Sequence, residues 1–81
     1  MTFNERNEHI QDAMTRLKML HDIYTSSTRL LSDEQWNKYI DSMDAVTAEY
    51  KNTNMYDTIN RISQALLDDT EMVFKKLKEI T

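Results

Sequence analysis

The 81-residue sequence contains no glycine, no proline and no cysteine, and each absence removes a class of chemistry. Without cysteine there is neither a disulfide framework nor a thiolate metal site. Without glycine the chain has no phosphate-wrapping loop, and without glycine or proline it lacks the usual residues of tight hairpin turns. No apolar run approaches the ~18 residues needed to cross a bilayer. The opening stretch Thr2-Phe3-Asn4-Glu5-Arg6-Asn7-Glu8 has neither the basic nor the apolar region of a secretory signal, so a cytoplasmic location is expected. Positive charge is also short: fourteen acidic residues against ten basic ones give a formal charge of −4. A binder of phosphate backbones needs a basic face, so nucleic acid is disfavoured as a partner, and an anionic membrane surface likewise.

What is there reads as helix. Apolar residues make up 40% and charged residues 30%, enough to fill and cover a small bundle. The spacing predicts one all-α domain spanning the chain, an antiparallel three-helix bundle with helices over about 3–25, 33–51 and 55–79. Thr2 stands three residues before Glu5 in capping-box spacing, and Phe3, Ile10, Leu17 and Tyr24 follow at a seven-residue interval, with Ala13, Met14 and Leu20 beside them. Ser26-Ser27-Thr28 marks the first break. Ser32 and Gln35 form a second capping box, with Leu31 and Trp36 spaced as a hydrophobic staple and Asp33 and Glu34 in the first turn. The core face of this helix is Trp36, Tyr39, Ile40, Met43, Val46 and Tyr50. Asn54 with Asp57 offers the third start. The third stripe is Met55, Ile59, Ile62, Leu66, Val73, Leu77 and Ile80, interrupted at Asp69 and Thr70. Asp68-Asp69-Thr70-Glu71 could cap a separate fourth helix near 68–70, although the absence of glycine and proline favours continuity. A pair of Glu71 with Lys75 and the run Lys75-Lys76-Leu77-Lys78 suit a helix C-terminus.

Catalytic signals are thin. His9 lies four residues after Glu5 and three before Asp12, so an imidazole and two carboxylates share a face, but a structural zinc site takes four ligands and no second cluster is visible. His21 falls at the edge of the core stripe, where one hydrogen-bonded nitrogen is the expected arrangement. The serines and threonines are accounted for as helix ends, and neighbouring acids on a helix diverge by about 100° rather than converge. Neither enzymatic activity nor a metal or other cofactor is expected.

Two surfaces suggest binding to another protein. Met19 and Ile23 lie away from the first stripe, one turn apart, and Tyr56, Leu67 and Phe74 widen the arc of the third helix. Met19, Ile23, Leu67 and Phe74 are therefore expected to stay partly exposed as apolar contacts, with Asp41 and Asp44 as an electrostatic rim. Asp33, Glu34, Asp41, Asp44 and Glu49 against Lys38 and Lys51 also leave the second helix acidic, which allows a mimic of nucleic-acid phosphates at a DNA-binding partner. A third possibility is a self-assembling structural subunit, in which a second copy of the chain buries what the monomer leaves open. In general character, small, helical, acidic and rich in Asn, Thr, Asp and Lys, the chain resembles the small accessory proteins of large tailed phages. That resemblance implies a regulator or inhibitor, such as a lysis regulator or an inhibitor of a host or defence protein.

Overall fold

A computed structural model describes residues 1–26 and 30–80, the side chain of Ile80 excepted. Among these described residues are three helices, α1 (Phe3–Thr25), α2 (Asp33–Ala48) and α3 (Tyr56–Ile80), each in contact with the other two. The order is up, down, up, and the body is 50 Å long by 19 and 17 Å across. α1 and α3 run parallel in a fixed register. Arg6 hydrogen-bonds Asn54 and His21 meets Asp69, both across an offset of 48 residues.

The helix starts follow from their caps. The Thr2 hydroxyl accepts the Glu5 N–H at 3.2 Å, but the reciprocal half of the box is replaced by a contact between that hydroxyl and the Glu5 carboxylate at 3.3 Å. Ser32 and Gln35 form the complete box: the Ser32 hydroxyl accepts the Gln35 N–H at 3.2 Å, and the Gln35 side chain accepts the Ser32 N–H at 2.9 Å. The predicted Ser26-Ser27-Thr28 break begins at Ser26, which caps α1 and donates to the Ile23 carbonyl at 2.9 Å, while Ser27 and Thr28 lie outside the described residues.

The second helix ends at Ala48, three residues before the expected Lys51. The N–H groups of Glu49, Tyr50 and Lys51 bond to carbonyls three residues back, which tightens the last turn, and Asn52 then takes a left-handed φ of 70°. Asparagine tolerates that region better than other non-glycine residues, and it serves here where glycine usually does. Asn54 is not the cap of α3. Its side chain and carbonyl accept from the Arg6 guanidinium at 3.3 and 3.1 Å, and the Thr53 hydroxyl instead accepts the Met55 N–H at 3.2 Å.

The third helix is continuous through residues 68–70. Thr70 does not start a new helix: it is buried, and its hydroxyl donates to the Leu66 carbonyl one turn back at 2.9 Å. That donation uses the only hydroxyl proton, so Thr70 accepts from the buried Tyr39 hydroxyl at 3.0 Å, a polar link between α2 and α3 inside the core. The apolar core that runs along the bundle consists of Ala13, Leu17, Tyr39, Met43, Val46, Met55, Ile59 and Leu67. Phe3, expected in the first stripe, is 81% exposed. Tyr50, in the turn after α2, donates to the His9 carbonyl at 3.4 Å, and Phe3 lies nearly two turns of α1 further from the core than His9. Met14 is exposed as well.

Candidate functional site

Helix phase decides which of the expected contact residues come together. His21 faces α3 through its Nε2 contact with Asp69 at 3.2 Å, and Met19 and Ile23, two residues to either side, point about 160° away from it. They are 59% and 63% exposed. Lys18 pairs with Asp22 along one edge of this strip, and on the other Arg16 pairs with Glu49 at the end of α2. The hydrogen bond from Arg16 holds the Glu49 carboxyl below its ordinary range, and that from Lys18 does the same for Asp22. The result is an apolar strip framed by two ion pairs, the anatomy of a small contact surface with a polar rim.

Leu67 and Phe74 do not join it. Leu67 is only 8% exposed, within the core, which corrects the expectation of a partly exposed contact residue. In a three-helix bundle α3 touches two neighbours, and the wide arc that Leu67 belongs to is the seam with α2. Phe74 lies on that seam too, half-buried, with its ring 6.1 Å from Trp36. Asp41 and Asp44 are both exposed, but they do not form one rim. Glu49 marks the side of α2 that meets α1, and Asp41 lies about 80° from it whereas Asp44 lies about 140° away.

Phe74 belongs instead to a second feature that the sequence reading did not single out. An aromatic series crosses the bundle: Tyr24 stacks on Tyr39 at 4.8 Å, Tyr39 meets the edge of Trp36 at 5.7 Å, and Trp36 meets Phe74. The series ends in an open groove of ≈ 330 Å³ lined by Leu30, Leu31 and Trp36 on one lip and Phe74 on the other, with Asp33, Glu71, Lys75 and Lys78 around it. The staple spacing of Leu31 and Trp36 was the available signal, but only the α2–α3 register places Phe74 opposite them. The expected Glu71–Lys75 pair is not among the ion pairs of the described residues.

His9 is exposed, and among the described residues no group of three or more His, Asp or Glu side chains is arranged to hold a metal ion. His21 is mostly buried; its Nε2 faces Asp69, while its buried Nδ1 has no hydrogen-bond partner among the described residues and lies 3.6 Å from an Asp22 oxygen. No described helix is long and apolar enough to cross a membrane. No family model, curated protein or solved structure matches the chain.

Proposed function

We propose that this chain is a non-enzymatic regulator or inhibitor of another protein, acting in the cytoplasm by stoichiometric binding through the Met19–Ile23 face of α1. The observation that carries the reading is a pair of large apolar side chains one turn apart, both more than half exposed and both framed by ion pairs. Burying a Met or Ile side chain in full contributes about 1.5–3 kcal/mol, so covering the exposed part of each is worth roughly 1–2 kcal/mol, near the range of contact residues that dominate an interface. The matching surface on a partner is an apolar helix face carrying a basic residue that reaches Asp41. Regulation by simple occupancy suits a chain of this size and agrees with the phage-accessory character of its composition.

The test compares wild type with a Met19→Asp/Ile23→Asp variant. Both residues are exposed, so helical content and melting temperature should be close to those of wild type. Immobilised wild type should retain a cytoplasmic protein at fixed stoichiometry and the variant should lose it. Equal retention by both, or no saturable binding to either, refutes the reading.

A further inference from the structure

We infer that the Trp36–Phe74 groove is a two-fold interface at which a second copy of this chain completes the bundle. This inference is independent of the α1 face proposed above. The fixed register of 48 places Thr25, the last residue of α1, level with Val73 of α3. From Phe74 to Ile80, roughly 10 Å of helix, α3 continues beyond α1. Among the described residues, the segment Leu30–Leu31 and the first turn of α2 line the groove beside it. Among the described residues the middle of the molecule is thus a three-helix layer, while this end is a two-element layer with apolar groups exposed. Val73, predicted for the core, is 42% exposed because α1 stops beside it, and Met72 and Leu30 are exposed at the same end.

The charges around the groove select the occupant. A two-fold contact brings residue i of one copy to residue j of the other and j to i, so it needs a surface with both signs on opposite lips. Asp33 lies on the α2 lip and Lys75 on the α3 lip, and neither is in an ion pair among the described residues. Turned about a two-fold axis between the rings, Asp33 of each copy faces Lys75 of the other, and the two α2 starts and two α3 ends form a local four-helix layer over Trp36, Phe74 and Leu31. An overhang this short makes a small interface, so the dimer belongs to the weak class that dissociates on dilution.

Trp36 is the single tryptophan of the chain and lies in the groove, which makes it the reporter. Sedimentation equilibrium over a concentration series at low salt should show the mass rising toward two chains. Trp36 emission should shift to the blue and become harder to quench over the same range. Lys75→Glu alone and Asp33→Lys alone should each weaken association by about tenfold, because each places like charges in both symmetry-related pairs. An equimolar mixture of the two variants should restore it, since every Asp33–Lys75 contact is then attractive, either native or reversed. Melting curves of each variant establish that it is folded. A single-chain mass up to about 1 mM, growth beyond two chains, or a mixture no tighter than its components overturns the inference.

Discussion

The buried hydroxyl pair Tyr39–Thr70 allows a prediction whose two halves are unequal. Thr70 spends its proton on the Leu66 carbonyl and accepts from Tyr39, so it keeps a partner when the tyrosine hydroxyl is removed. Tyr39→Phe should therefore cost about 0.5–1.5 kcal/mol, the net worth of one hydrogen bond. Thr70→Val removes the acceptor and leaves the Tyr39 hydroxyl buried with its donor unmet, at about 1–3 kcal/mol. The double variant has nothing left unmet and should cost less than the two singles together, with a coupling of about 1 kcal/mol. Urea unfolding followed by far-ultraviolet circular dichroism and by Trp36 emission gives the four free energies, and for a chain of this length each kcal/mol corresponds to roughly 4–8 °C in Tm. Strict additivity, or a Tyr39→Phe variant less stable than Thr70→Val, refutes the assignment of donor and acceptor. The same burial raises the Tyr39 pKa above the ordinary phenol value. Its contribution is complete below the unfolded-state pKa and is lost as pH rises through the higher folded value, so Tyr39→Phe should flatten the alkaline limb of a Tm–pH curve.

Ile23→Asp should leave Tm within a few degrees of wild type, while Leu67→Asp, which places a charge in the core, should abolish cooperative unfolding; equal effects would erase the distinction between strip and seam. At Asn52, φ is 70°, so Asn52→Gly should be neutral or stabilising and Asn52→Val destabilising by about 1 kcal/mol or more, measured by urea midpoint. Asp22 and Glu49 are held below their ordinary pKa by hydrogen bonds from Lys18 and Arg16. Their contribution is complete above the unfolded carboxylate pKa and is lost as pH falls through the depressed folded values. Asp22→Asn/Glu49→Gln should therefore flatten the acid limb of the Tm–pH curve, and high salt should reduce the difference because both pairs are exposed.

The helices were legible where local chemistry decides: the Ser32–Gln35 box, the Thr2 cap and the period of Leu17, Tyr39, Met43 and Ile59 all follow from short-range spacing. What failed to show in the sequence depends on partners far along the chain. Asn54 looked like a cap because its competitor, Arg6, is 48 residues away. Leu67 and Val73 exchanged roles for a similar reason: the seam with α2 buries the first, and the end of α1 uncovers the second. Met19 and Ile23 were legible as surface because their phase opposes the stripe, whereas the Trp36–Phe74 groove required the register of two antiparallel helices.

An odd number of parallel and antiparallel passes leaves Met1 and Ile80 at opposite poles of the 50 Å body. A fluorescent protein fused ahead of Met1 is held clear of the aromatic pole, and one fused behind α3 obstructs it, so paired fusions report on the two poles separately. Rejoining the poles across the 50 Å body to open the chain elsewhere requires a tether of at least about 14 extended residues.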